Sequence, residues 1–246
     1  MTIRTLTLIT VSLYRSASAQ ELTRYQVNTI TTTQEDSAYS IKCDIPRVEG
    51  LKDTVVQRRC NEYIDSEVSD YVESFRGNAL NAFKELSGGP HFLGSYLDLS
   101  NLVSLATDNI LSISFHTEGF VAGTAHPSSE SSSIIIEMRT GQLVTLADLF
   151  EPESHFLDTL SRICIADIFK DRGDSTFSDS NVLTGASPDP NNYRSFTLDQ
   201  ESLTIMFDEY QIASRVDAPG GYTVNIPYSA LKSILRKNGP IQSLEK

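Results

Sequence analysis

The sequence predicts an α+β fold built mainly on antiparallel sheet, and three observations predict it. Short stretches of period-two alternation recur, most cleanly where Leu111, Ile113 and Phe115 oppose Ser112, Ser114 and His116. Apolar stripes at helical spacing occur in a long N-terminal stretch, a middle stretch and a short C-terminal one. Strands and helices are segregated rather than alternating, which favours α+β over a parallel α/β sheet. With 246 residues, 39% of them hydrophobic, the chain is long enough to bury a real core.

The start, "MTIRTLTLITVSLYRSASAQ", reads as an export leader: Arg4 is the charged head, Thr5 to Tyr14 the short apolar stretch, and Ala17-Ser18-Ala19 the small-x-small pattern before a cut after Ala19. A β-strand is the competing reading, because Leu6 and Leu8 alternate with threonines. Ten residues cannot span a bilayer, which needs about twenty. The expected mature chain is therefore periplasmic or secreted, with no transmembrane anchor. The expected organisation is a leader over 1–19, a strand–helix–strand module over 20–106, and an α+β domain over 107–246.

After the leader, two strands flank a polar turn at Gln34 to Ser37. Asp53 is the candidate N-cap of an amphipathic helix whose stripe is Val56, Cys60, Ile64, Val68, Tyr71 or Val72, and Phe75; Gly77 is a place for it to bend or end before Gly88-Gly89-Pro90. Strand signals follow in "FLGSYLDL", "LVSLA" and "NILSISFHT", then a hairpin about Thr140-Gly141. Pro152 sits early for a helix through about Lys170. Residues 172–194, rich in Ser, Asp, Asn, Gly and Pro, read as a long surface loop. A further hairpin turns at Asp199 to Glu201 with Leu203, Ile205 and Phe207 inward, and a strand ending at Pro227 leads into a short helix carrying Leu231, Ile234 and Leu235.

Of three cysteines, Cys43 on a strand face and Cys60 on the helix stripe point at the same core. Two readings fit: a Cys43–Cys60 disulfide pinning strand to helix, suited to an oxidising compartment, or two buried free thiols. Cys164 lies on a stripe with Leu157, Leu160 and Ile168 and reads as core.

The charge is −12, and loss of the first nineteen residues, which hold two arginines and no acids, leaves 18 basic against 32 acidic residues, or −14. Such a surface repels nucleic acid and attracts cationic partners. Four scattered histidines show no metal spacing, and no H-E-x-x-H, C-x-x-C, G-x-G-x-x-G, Walker loop or G-x-S-x-G occurs. Oxygen ligands are dense in "DRGDSTFSD" and "SPDPNN", but neither matches the EF-hand loop, and both read as solvated loop. The expectation is no catalytic residue, no metal and no cofactor. His126, between Ala125 and Pro127, has an extended backbone imposed by the proline and reads as a structural corner beside a recognition surface.

Three stretches together carry a resemblance: "GTAHPSS…TGQLVTLADLF", "FTLDQESLTIMFDEYQIA" and "GGYTVNIPYSALKSIL". They resemble the extracytoplasmic domain of RsiV-like anti-sigma factors, a domain of unknown function that also stands N-terminal in PdaC-type peptidoglycan deacetylases. "YSIKCDIPRVEGLKDTVVQRRCNEYIDSEV" is similar to its companion strand–helix module. Where that family often has Ala-Pro-Tyr-Ala after the Tyr of its F-x-x-Y strand, this chain has Ala213-Ser214-Arg215-Val216, with Pro219 displaced into a Gly pair. In RsiV-like proteins the domain binds lysozyme. The resemblance implies a non-catalytic binding module for a cell-envelope factor, with a cationic lysozyme-type protein or a peptidoglycan-associated factor as partner. The contact residues expected for such a module lie on the 125–133 corner (His126, Glu130), the 172–194 loop (Asp174, Asp179, Asp189) and the 209–222 segment (Glu209, Tyr210, Tyr222). A cell-wall hydrolase or deacetylase with an unrecognised site, and a structural envelope protein, are the alternatives.

Overall fold

The computed structural model describes residues 8–12, 23–88, 94–171 and 178–244. It divides into two compact units, one of residues 1–102 with 115–129 and the other of 103–114 with 130–246. The mixed α+β class is as the sequence reads, with sheets that are mostly antiparallel.

In the first unit, β1 (Leu8–Ser12) pairs antiparallel with β2 (Gln26–Glu35), and β2 pairs antiparallel with β3 (Tyr39–Glu49). Asp36 accepts the Ala38 N–H at 3.0 Å inside the turn between β2 and β3. The next pairing is parallel: β3 lies beside β4 (Ser95–Ala106) with Tyr39 opposite Ser95 and Cys43 opposite Leu99. A parallel pair needs a crossover of a dozen residues or more, and α1 (Thr54–Leu86) supplies it. Asp53 caps α1 by accepting the Val55 and Val56 N–H groups at 2.9 and 3.1 Å. The helix runs through Gly77 without ending, because no side chain or backbone crowds that position and the stripe continues to Ala79. Its buried residues are Val56, Cys60, Ile64, Val68, Val72, Phe75 and Ala79. Asn61 ties helix to strand, taking the Val48 N–H and donating to the Val48 carbonyl.

"FLGSYLDL" and "LVSLA" are not two strands. Residues 91–93 lie outside the described residues, and the remainder forms the single strand β4, whose Ser100 and Asn101 stay in sheet because Asn101 donates to the Asp44 carbonyl at 3.0 Å.

The second unit has its own core. β5 (Ile110–Phe120) begins there, and Ile110 to Ile113 are all fully buried. The expected polar face therefore starts inside: Ser112 accepts hydrogen bonds from Ser104 Oγ (2.9 Å) and the Leu198 N–H (3.0 Å), which satisfies its hydroxyl away from water. β6 (Ser128–Glu137) and β7 (Gln142–Leu143) form the expected hairpin, with Gly141 at φ 67°. A 3-10 turn, Leu146–Leu149, has a capping box between Thr145 and Asp148. α2 (Phe156–Asp171) starts four residues after Pro152, since Glu153 and His155 adopt positive φ and delay the helix.

The expected loop over 172–194 is corrected in part. Its described residues hold α3 (Asp179–Gly185) and a 3-10 turn, Pro190–Tyr193. Val182 and Tyr193 anchor both in the core, and the Tyr193 and Ser161 hydroxyls donate to the Ala186 carbonyl at 2.7 and 2.6 Å. β8 (Ser195–Leu198), β9 (Ser202–Phe207) and β10 (Tyr222–Pro227) make an antiparallel sheet in the order β10-β9-β8. The turn between β8 and β9 is held by Asp199, which takes the Glu201 and Ser202 N–H groups. Leu203, Ile205 and Phe207 point inward, and α4 (Tyr228–Leu231) closes the core with Leu231 and Leu235.

Cys43, Cys60 and Cys164 are free and buried, so the structure holds Cys43 and Cys60 as two thiols rather than as the strand–helix disulfide. Burial pushes the thiols of Cys43 and Cys164 up to about 12 and that of Cys60 to about 11; neighbouring Asp44 and Asp98 add to the effect at Cys43, and Asp167 at Cys164. Only the thiolate is nucleophilic, so all three should resist a thiol-specific chromogenic reagent at pH 8 and react in denaturant. Because the folded state keeps these protons longer than the unfolded chain, their contribution to stability is full below the ordinary thiol value of 9.0 and is lost as pH rises towards 11 and 12. Urea midpoints should fall from pH 9 upwards. Rapid labelling of the native chain would overturn the assignment.

Candidate functional site

The best-defined surface feature in the second unit is the segment that leaves β9 after Phe207 and returns at β10. Every turn in it is fixed by a named interaction. Asp208 accepts the Ser131 N–H at 2.9 Å, and the Gln211 side chain bonds back to the Asp208 N–H at 3.1 Å. Gln211 Nε2 also donates to the Gly185 and Asn192 carbonyls, while Ile212 and Ala213 drop into the core. Ser214 Oγ donates to Asp217 at 2.6 Å, and its carbonyl takes the Asp217 and Ala218 N–H groups. The return uses Gly220 and Gly221 at φ 80° and 94°; at Gly221 a Cβ would lie 2.4 Å from the Phe207 carbonyl oxygen.

Glu209 sits at the centre of this loop. Its side chain is only 3% exposed; Oε1 accepts the Gly220 N–H at 2.8 Å, and Oε2 lies 3.6 Å from Arg215 Nη1. A buried carboxylate needs such partners, and here they are parts of the loop itself. The interior bonds push two side chains outward: Tyr210, at φ 66° and 57% exposed, and Val216, 91% exposed.

The sequence-derived contact residues fare differently. Glu209 is corrected: its carboxylate organises the loop and does not face solvent. Tyr222 is half-buried and its hydroxyl donates to Asp171 at 3.0 Å; burial, then that hydrogen bond, pushes its pKa well up. Tyr210 is displayed. Asp179 is exposed in the first turn of α3, and Asp189 is exposed but caps the 3-10 turn through the Asn191 N–H. Asp174 lies outside the described residues. Glu130 is exposed on β6. His126 belongs to the first unit, where its Nδ1–H donates to the Pro127 carbonyl at 2.8 Å and Thr124 donates to the Val121 and His126 carbonyls. That carbonyl can only accept, so Nδ1 carries the proton and the ring serves its own corner.

Sequence reasoning missed Val216 and Arg215. The signal available was a lone β-branched residue inside the polar run Ser-Arg-Val-Asp. It also missed a cleft of about 550 Å³ at the start of α2, lined by Phe150, Pro152, His155, Phe156, Asp158 and Arg236 among others. Phe150 and Phe156 stack there at 4.7 Å. Among the described residues no three His, Cys, Asp or Glu side chains converge as a metal-ligand set, and no helix is long and apolar enough to cross a membrane.

Comparison with known proteins gives relatives in sequence and fold. The chain is 24% identical over 127 residues to the peptidoglycan-N-acetylmuramic acid deacetylase PdaC of Bacillus subtilis, a match covering 52% of this chain and 26% of the deacetylase. It therefore spans about a quarter of that relative's length. A DUF3298 family member from Bacteroides fragilis superimposes with a TM-score of 0.65 at 17% identity, over 92% of this chain and 99% of that one. A DUF3298 protein from Pseudomonas aeruginosa gives a TM-score of 0.58 at 16% identity, over 97% and 96%. These two show a shared fold. The expected likeness to the module preceding PdaC-type deacetylases is thereby met, for residues 32–129 match the family described as deacetylase PdaC and residues 147–229 match the family described as a protein of unknown function, DUF3298.

Proposed function

We propose that this chain is an exported, non-catalytic module of the cell envelope that binds a cationic lysozyme-type protein through the loop from Asp208 to Gly221. The observation that carries the reading is the loop's architecture: a buried Glu209 fixes the backbone so that Tyr210 and Val216 stand out of it. A loop already held in one shape loses little entropy on docking, and an exposed aromatic beside an aliphatic residue suits the centre of an interface. The charge of −12 and the exposed Glu130, Asp179 and Asp189 suit a basic partner, because acids around such a centre steer its approach. The cell-wall setting is supported by the PdaC match and by the leader-like first nineteen residues.

Y210A or V216S should weaken lysozyme binding about tenfold or more without lowering the melting temperature, as loss of an interface anchor does. E209A should weaken binding and also destabilise the fold, because it frees the loop and leaves Arg215 without its carboxylate. E209Q keeps the Gly220 acceptor and should fall between them. Calorimetric titration of each variant, with a lysis assay alongside, reads these effects; unchanged affinity in Y210A and V216S would remove the loop from the interface.

Charge reversal at Glu130, Asp179 and Asp189 should slow association several-fold at low salt, with the deficit shrinking at physiological salt as the Debye length falls to about 8 Å. Binding of the parent chain that vanishes at physiological salt would reduce the interaction to charge attraction. Turnover of purified peptidoglycan would instead favour the deacetylase or hydrolase reading that the PdaC match also invites.

A further inference from the structure

We infer that the outer edge of β2 is a strand-acceptor site and that, once the leader is removed, it pairs antiparallel with β2 of a second copy of this chain about Thr31. Among the described residues that edge carries only β1, five residues of the leader, in the register Leu8 opposite Thr33 to Ser12 opposite Thr29. The edge thus takes an extended segment centred on Thr31, and removing the first nineteen residues leaves its backbone groups without that segment. β2 is ten residues long and paired with β3 without a bulge from Gln26 opposite Glu49 to Glu35 opposite Ser40. From Gln26 to Gln34 it holds no charge and no proline. Natural sheet edges are usually blunted by lysines, prolines or bulges, and this one has none of those devices.

The strand is also complementary to itself. A two-fold axis at Thr31 sets Ile30 against Thr32, Thr29 against Thr33, Asn28 against Gln34 and Val27 against Glu35. No carboxylate meets another. Gln34 accepts a hydrogen bond from Arg76 of α1 at 3.0 Å, so the even-numbered positions face the helix. Thr29, Thr31 and Thr33 lie on the other face, where Thr31 donates to Asp44 at 2.6 Å. Substitution at Thr29 and Thr33 therefore leaves the packing under α1 alone.

This inference rests on loss of the leader and is independent of the lysozyme reading, since the acceptor edge lies in the first unit and the displayed loop in the second. The buried hydrophobic side chains of the described residues run from Tyr25 onward, and a chain beginning at Gln20 retains all of these. The test is sedimentation with light scattering over a wide concentration range. The chain from Gln20 should dimerise reversibly and the full chain should stay monomeric, while T10P in the full chain, which breaks the β1 pairing, should restore the dimer. In the chain from Gln20, T29K/T33K places two like-charged pairs across the axis and should raise the dimer dissociation constant about tenfold. T29K/T33E places opposite charges there and should keep the dimer. A chain from Gln20 that is monomeric throughout, or a T29K/T33K variant that associates as well as the parent, overturns the inference. So does N-terminal sequencing of the exported protein that finds residues 8–12 retained.

Discussion

The candidate site depends on one carboxylate taken out of water. An acid carried into a protein interior without partners costs several kcal/mol, so its position is tolerated only where hydrogen-bond donors converge on it. At Glu209 the Gly220 N–H donates to Oε1, and the Arg215 guanidinium stands 3.6 Å from Oε2 as an ion pair; both belong to the same loop as the acid. The carboxylate therefore acts as a post around which eleven residues of chain are wound. Removing it takes the acceptor from the Gly220 N–H, where φ is positive, and this carboxylate from Arg215, and the outward stance of Tyr210 and Val216 loses one of the interactions that fix it.

The core of each unit was largely legible in the sequence. The α1 stripe, the inward faces of β5 and β9, and the turns at Gly141 and Asp199 follow from periodicity and turn chemistry, which are local. What was not legible depends on contacts distant in sequence. Ser112 looks like a solvent-facing position until Ser104 and Leu198 arrive to bond it. Asp179–Gly185 reads as loop because about two turns of helix are too few to show a period, and it forms because Val182 finds a core. β3 and β4 pair in parallel because a 33-residue helix separates them. The candidate site was least legible. An acid in a charged run looks like surface, and nothing local to Glu209 announces that Gly220 will cap it.

That misreading has a physical lesson for an acidic protein. Thirty-two acids do not make thirty-two steering charges. Asp53, Asp189 and Asp199 are spent on backbone N–H groups at caps and turns, Asp148 closes a capping box, Asp171 holds the Tyr222 hydroxyl, and Glu209 is interior. Those that cap and remain exposed, Asp189 among them, still contribute to the field. An acid such as Glu209, paired with Arg215, presents much less charge to an approaching partner. Net charge is a poor guide to where such a partner lands, though a fair one to how fast it arrives.

In the proposed complex, rate and residence belong to different residues. Exposed acids act through the long-range field, which is screened by salt and indifferent to fine geometry. On the proposed reading Tyr210 and Val216 would act only in contact, where desolvation of apolar surface sets how long a complex lasts. A loop held by its own buried carboxylate would link the two in that complex, since it would present the proposed contact residues in a fixed arrangement before encounter and spare the cost of ordering them. The departure from Ala-Pro-Tyr-Ala to Ala213-Ser214-Arg215-Val216 fits this division of labour. Beside the Tyr210 of the F-x-x-Y pattern the departure adds Val216 as an apolar projection, and it supplies Arg215 as the cation 3.6 Å from the buried Glu209 carboxylate.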